Sequence, residues 1–282
     1  MQSFSTNSPF NTDKPKSTLR YIGGKGLLAK RIIPYIPEHY TYCEVFGGGG
    51  HVLTQKAPSK VEIYNDIDYD LVNFLMMLRS HRDDLIEALV SIPTSRHLYE
   101  TWAKESLPED NFQRAVIWYY LLRQMIIPSN NIPSGWRSSK IKSTAIDYQN
   151  SIRRLNDFEK RLRTVMIERL DFRECILRYD SPETFFFVDS PYYGKSHYYK
   201  GNFSEKDFRD LADLLHNIKG KCLVTYYGHP FILELYKGWR YTTLETKVVS
   251  TITKASKGEK KRTETEYLFM NFEEGHIPLT LF

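Results

Sequence analysis

Apolar positions along the chain follow a strand-and-helix alternation that is interrupted once. Thr41 to Phe46 has strand character and breaks on four glycines, Gly47 to Gly50, after which His51 to Gln55 has the length of a brief helix. A second strand-like run, Val61 to Tyr64, ends on Asn65-Asp66, and Tyr69 to Arg79 follows with Leu71, Phe74, Leu75 and Leu78 at helical spacing. Two strand and helix pairs in succession predict an α/β sheet. From Arg82 to Asn150 the pattern changes to helical stretches and a polar loop, Pro128 to Ser139, with no convincing strand. Alternation then resumes with a helix over Ser151 to Arg163, strands at Val165 to Leu170 and Thr184 to Val188, and a helix over Glu205 to Ile218. A strand at Lys221 to Tyr227, a short helix at Pro230 to Tyr236 and strands at Tyr241 to Val249 and Thr265 to Phe272 complete the run. The expected organisation is a mobile polar arm over residues 1–18, an α/β domain formed by 19–80 and 151–282, and a helical insertion over 81–150.

Composition narrows the class without naming a function. Of 282 residues, 41% are hydrophobic and 26% charged, which excludes disordered and coiled-coil chains as global descriptions. The most apolar helical stretch, Phe112 to Ile127, is interrupted by Arg114 and Arg123, so no membrane span is expected. The N-terminus lacks the basic then apolar order of a signal peptide, and a cytoplasmic location is expected. Cys43, Cys175 and Cys222 are far apart with no ligand spacing, and are read as reduced and buried. His51, His197, His216 and His229 are too scattered to form a metal site, and each is assigned a surface or capping role.

The net charge of +5 is mild, but it is unevenly placed. Between Arg123 and Arg163 stand nine basic and three acidic residues, a local balance of +6. Lys254, Lys257, Lys260, Lys261 and Arg262 form a second cluster between the last two strands. Such density suits phosphate neutralisation, and Asn130, Asn131, Trp136 and Arg137 in the polar loop could reach base edges. Arg123, Lys140 and Lys142 join these candidate nucleic-acid contacts. The alternative for the helical part is a solvated charged face.

Two segments carry candidate chemistry. Glu44 to Gly50 is a strand ending in glycines, with Asp66 and Asp68 at the end of the next strand; backbone can approach a ligand there while a carboxylate holds ribose hydroxyls. Gly23-Gly24-Lys25-Gly26 is too short to cradle a triphosphate, and Gly47 to Gly50 lack the third glycine of the dinucleotide pattern. In Phe185 to Tyr193 an apolar strand delivers Asp189, then Ser190-Pro191-Tyr192. A carboxylate and a neighbouring carbonyl can accept hydrogen bonds from one amino group, and a ring beside them can stack on a heterocycle. An Asp that caps a turn and a Tyr that packs in the core would give the same residues.

The order Tyr21-Ile22-Gly23-Gly24-Lys25, Phe46 to Gly50, Asp66, then Asp189-Ser190-Pro191-Tyr192 resembles the adenine-specific DNA methyltransferases of the Dam type, over about Leu19 to Phe272. The resemblance implies a Rossmann-like S-adenosylmethionine-dependent sheet with helices on both faces and a mainly helical target-recognition insertion. It implies cofactor contacts at Phe46, Gly48, Gly50 and Asp66 within the Glu44 to Gly50 element and its neighbour, with Tyr21 and Gly23 to Lys25 bordering the cofactor. Asp171-Phe172 matches the part that meets the cofactor's adenine, and Asp189 borders cofactor and substrate alike. The implied catalytic turn is Asp189, Ser190, Pro191 and Tyr192, where Ser190 replaces a proline but keeps the main-chain carbonyl. The implied partner is double-stranded DNA, bound by a monomer or a dimer without metal, with Lys195 and Tyr198 in a lid over the DNA. A DNA-binding relative without turnover, and an enzyme acting on cytosine or on RNA, remain open at this point.

Overall fold

The computed structural model describes residues 9, 15–21, 23–127, 134–194, 203–247 and 263–273. Helix α1 (Ala29–Ile32) runs into a 3-10 turn at Ile33–Tyr35, and β1 (Thr41–Glu44) leads through the glycines into α2 (His51–Gln55). β2 (Val61–Asn65) is followed by α3 (Tyr69–Ser80), α4 (Arg82–Ser91), α5 (Arg96–Trp102), α6 (Asn111–Gln124), α7 (Thr144–Arg153) and α8 (Leu155–Leu162). Then come β3 (Val165–Glu168), α9 (Phe172–Tyr179), β4 (Thr184–Val188), α10 (Glu205–Asn217), β5 (Lys221–Tyr227), α11 (Pro230–Leu235), β6 (Arg240–Lys247) and β7 (Thr263–Met270). Side-chain caps start many of these helices: Asp68 for α3, Ser95 for α5, Asp110 for α6, Ser143 for α7, Asp171 for α9, and Ser204 in a reciprocal pair with Asp207 for α10.

The helix expected over Ser151 to Arg163 is two helices. The Ser143 cap starts α7 well before residue 150, and the chain breaks at Arg154 so that Tyr148 and Ile152 on one helix and Leu155, Phe158 and Leu162 on the next can both face the core. Helix α9 was not anticipated. It lies between two strands, opened by Asp171, and buries Phe172, Cys175 and Ile176 on one face.

The seven strands form one sheet in the order β3-β2-β1-β4-β5-β7-β6. Strands β1 to β5 pair in parallel, and β7 runs antiparallel between β5 and β6. Alternation along β1 sends Tyr42 to one face and Cys43 to the other. On the first face Tyr42, Phe185 and Leu223 share a core with Leu71, Leu85, Tyr119, Tyr148 and Phe158 of the helical layer. On the second face Cys43, Phe186 and Cys222 pack against Phe172, Leu211 and Ile232 from α9, α10 and α11. The helices between β2 and β3 therefore complete the core of the sheet. The three cysteines are free and buried, and no described helix is long and apolar enough to cross a membrane.

The strand order reverses between β1 and β4, whose registers place Glu44 beside both Tyr64 and Phe187. In an open α/β sheet the crevice outside the carboxyl ends of the strands at such a reversal is where ligands bind.

Candidate active site

The glycine loop is shaped by a tyrosine lying across it. The Tyr64 hydroxyl donates to the Gly48 carbonyl at 2.6 Å, and a Cβ on Gly47 would stand 2.2 Å from the Tyr64 ring. Gly48 and Gly50 have φ of +46° and +59°, left-handed values that disfavour a side chain. Gly50 caps α2 in that conformation. The Asp66 carboxylate accepts from Gly48 N at 2.8 Å and from Asp68 N at 2.9 Å, tying the loop to the end of β2. Burial, with Asp68 nearby, pushes its pKa up to about 7.

His51 sits where the two glycine elements meet. A Cβ on Gly24 would lie 2.9 Å from its ring, and one on Gly49 would lie 2.6 Å away, so both positions need glycine for the ring to fit. Burial and the Lys25 ammonium push its pKa down to about 4, which keeps the ring neutral at physiological pH. The surface or capping role assigned from sequence is thus corrected at this residue: its ring lines the cleft. His229 does cap α11, accepting from Phe231 N, and His216 bonds Trp239 Nε1 and lies within hydrogen-bond distance of the Leu235 carbonyl. His197 lies outside the described residues.

At the end of β4, Asp189 Oδ1 accepts from Lys25 Nζ and from Thr225 Oγ1, each at 2.7 Å. Ser190 is buried and its hydroxyl pairs with that of Tyr226, so the residue standing in place of proline has its own polar partner. Tyr192 is only 4% exposed. Its hydroxyl meets Lys25 Nζ and Glu266 Oε1, and its ring packs edge-on against Tyr227 at 4.6 Å. The expected stacking ring is, in this structure, folded into a buried polar cluster.

One open cleft gathers most of the expected cofactor residues: Tyr21, Gly24, Lys25, Glu44, Phe46, Gly47 to Gly50, Asp66 and Asp189, with Pro191 of the catalytic turn. Glu44 lies at its base with Oε2 accepting from Tyr42 OH at 2.9 Å and Leu53 N at 3.0 Å; burial pushes its pKa up to about 8, so it is largely neutral at pH 7. Gly23 stays at the margin, its carbonyl accepting from Lys25 Nζ at 3.2 Å. Asp171 and Phe172 do not line the cleft: Asp171 caps α9 and pairs with Arg173, and the Phe172 ring lies 5.7 Å from that of Phe46. Sequence reading missed Thr225, Glu266 and His51.

The expected DNA contacts divide. Arg123 is 7% exposed, and its guanidinium donates to the Thr18 carbonyl and to Asp147, each at 2.9 Å, so it faces the protein. Arg137 pairs with the same Asp147, and Trp136 is partly buried with its ring 5.7 Å from that of Tyr99. Lys140 and Lys142 are exposed. Asn130, Asn131, Lys195, Tyr198, Lys260, Lys261 and Arg262 lie outside the described residues.

Comparison with known proteins places this geometry. The chain is 24% identical over 242 residues to the type II methyltransferase M.CviBI of Paramecium bursaria Chlorella virus NC1A, covering 82% of this chain and 90% of that protein. It is 26% identical over 299 residues to the type II methyltransferase M.MjaIII of Methanocaldococcus jannaschii, covering 91% and 99%. A shorter stretch of 71 residues, 25% of this chain and 9% of the other, is 35% identical to the DNA N-6-adenine-methyltransferase of Escherichia phage P1. The family profile of the D12 class N6 adenine-specific DNA methyltransferases matches residues 21–252. Since that match runs from Tyr21 at the cleft, through the glycine loop and the helical layer, past the Asp189 turn, the resemblance drawn from four motifs holds, and the chain belongs to the D12 class N6 adenine-specific DNA methyltransferases.

Proposed function

We propose that the cleft at the β1–β4 reversal holds S-adenosylmethionine and that Asp189, with the Ser190 carbonyl, holds the exocyclic amine of an adenine flipped out of duplex DNA. The observation that carries this reading is the meeting, in one cleft, of a ligand-accessible glycine loop, the Asp66 carboxylate and the Asp189 carboxylate. The residues suit the cofactor: each Asp66 oxygen takes one backbone N–H and keeps a lone pair for a ribose hydroxyl, and the loop glycines leave no side chain between backbone and ligand. When bound, the donor supplies a methyl group on a positively charged sulfur, open to displacement by an amine lone pair.

Adenine's amine is a poor nucleophile because its lone pair is delocalised into the ring. Asp189 and the Ser190 carbonyl counter this by accepting hydrogen bonds from its two N–H groups, which draws the lone pair out of conjugation with the ring and aims it along one line. The N–C bond would form as the S–C bond breaks, with a neutral thioether leaving and one N–H proton released. Rate then comes from position and preorganised dipoles, with no covalent enzyme intermediate. The buried free cysteines are not needed as nucleophiles. Extruding the base costs a few kcal/mol, which contacts to the displaced base and the backbone must offset.

The helical segment 81–150 is assigned to target recognition, with Trp136 as a base reader and Lys140 and Lys142 on phosphates; Arg137 would read a base only by exchanging its Asp147 partner for it. Asn130, Asn131, Lys195, Tyr198, Lys260, Lys261 and Arg262 complete the proposed DNA surface. Calorimetry tests the cofactor assignment: wild type binds S-adenosylmethionine, and Asp66→Ala weakens it because the ribose loses a buried hydrogen-bonding partner. Wild type that gives no heat at millimolar cofactor would contradict the assignment.

A further inference from the structure

The matched family profile ends at residue 252, before β7 begins at Thr263, so the profile itself does not include what β7 contributes to the site. Glu266 stands on β7 opposite Tyr227 of β5 and is 1% exposed. Its Oε1 lies 3.2 Å from Lys25 Nζ and also accepts from the Tyr192 hydroxyl. A carboxylate is rarely left that far from water without a purpose, since burial costs free energy that only pairing can offset.

The cluster has a clear polarity. The two closest donors, Lys25 Nζ and Thr225 Oγ1, converge on Asp189 Oδ1 at 2.7 Å, with the Tyr192 hydroxyl at 3.4 Å, while among the described residues Asp189 Oδ2 takes no hydrogen bond. A half-turn of the carboxylate only exchanges its two oxygens, so in either setting one oxygen is held by the protein and the other is left open. Asp189 keeps 17% exposure against 4% for Lys25 and 1% for Glu266, and that remnant faces the cleft it lines. The ammonium of Lys25 lies between two carboxylates, and Lys25, Asp189 and Glu266 together carry one net negative charge. Without the charge of Glu266, Lys25 would neutralise Asp189 alone and weaken it as an acceptor.

We propose that Glu266 is a positioning residue: from β7 it anchors Lys25 and Tyr192, so that Lys25 holds Asp189 by Oδ1 only and Oδ2 remains a charged acceptor presented to the incoming amine. This rests on the reading of Asp189 as the amine's acceptor. Glu266 acts through Lys25 and does not itself touch the substrate.

Glu266→Gln keeps a hydrogen-bond acceptor of the same shape and removes only the charge. Its expected effect is a fall in kcat of about 100-fold, the scale of a small misplacement of a reacting group. Calorimetric affinity for S-adenosylmethionine and the thermal midpoint should stay near wild type. In the double-mutant cycle, Lys25→Met with Glu266→Gln should be no slower than Lys25→Met alone, because one residue works through the other. A crystal structure of ligand-free Glu266→Gln should show Lys25 shifted fully onto Asp189, a readout that does not depend on turnover. Wild-type kcat in Glu266→Gln, an additive cycle, or an unmoved Lys25 would each overturn the proposal. Asp189→Ala tests the underlying reading separately: if it keeps full activity, that reading fails whatever Glu266 does.

Discussion

The cleft at the sheet's reversal and the helical layer between β2 and β3 are both rich in charge, and they use it in opposite ways. In the cleft, Lys25, Asp189 and Glu266 are drawn together from distant parts of the chain and leave one carboxylate oxygen open to a ligand. In the helical layer, several of the basic residues that give the segment its local excess close on internal partners. Arg161 donates to both oxygens of buried Glu62 at 2.5 and 2.7 Å and to the Leu53 carbonyl, Arg163 pairs with Glu159, and Arg123 is held by Thr18 and Asp147. Local charge density therefore overstates the positive surface that DNA can meet. What matters is whether a cation has a partner inside the fold.

The largest effect that sharpens this contrast is at Arg161. Arg161→Ala removes both guanidinium hydrogen bonds from buried Glu62, which keeps only Lys56 as an ion-pair partner, and should cost about 3 kcal/mol of stability, read by denaturant unfolding, while DNA affinity of the folded protein stays unchanged. Arg123→Ala should cost about 1–3 kcal/mol by the same measurement, because the Thr18 carbonyl loses its donor while Asp147 keeps Arg137. If either variant instead kept its stability and lost DNA affinity, the inward role given to these arginines would be wrong.

The cleft leaves its own mark on stability through pH. Glu44 and Asp66 have folded pKa values raised to about 8 and about 7, so they bind protons more tightly in the folded state. Their contribution is whole below their ordinary values near pH 4 and is lost as pH rises through 7 and 8. His51 and His39 are lowered by burial and work in the opposite sense, but only below about pH 6.5, where an unfolded histidine takes up its proton. The two effects offset each other up to that point. The thermal midpoint of the ligand-free protein should therefore fall as pH rises from about 6.5 to 8, and the fall should be shallower in Asp66→Asn. A midpoint that climbs over that window would show the cleft carboxylates to be ionised already.

The smallest effects belong to the exposed cations. Lys140→Ala and Lys142→Ala should each change stability by less than about 0.5 kcal/mol. Each should lower the salt dependence of DNA binding by about one unit of slope and weaken binding to all sequences alike. No change in the slope would remove them from the DNA surface.

The same contrast explains what the sequence made legible. The glycine loop and the Asp189 turn are contiguous, and their order along the chain carried both the fold and the family. Strand β7 is different: Thr263, Glu264, Thr265 and Glu266 read as a polar run, and only the antiparallel placement of β7 between β5 and β6 buries Glu266 while leaving Thr263 exposed. Thr225 is likewise one polar residue in an apolar strand until Asp189 arrives beside it. His51 looked isolated because its neighbours, Gly24 and Gly49, have no side chains to advertise the contact. Helix α9 did leave a signal that was passed over, an Asp171 cap followed by Phe172, Cys175 and Ile176 at helical spacing.

The account stands or falls on Asp189 serving the substrate amine and not merely the fold. A single-turnover transfer of labelled methyl to DNA by wild type and by Asp189→Ala, with nucleoside analysis of the product and calorimetric titration of S-adenosylmethionine into both proteins, tests this directly. The expected result is N6-methyladenine from wild type, a rate at least about 100-fold lower for Asp189→Ala, the scale of losing one preorganised catalytic hydrogen bond, and near-equal cofactor affinity. Equal transfer rates in the two proteins, or a loss of transfer matched by an equal loss of cofactor binding, would contradict it.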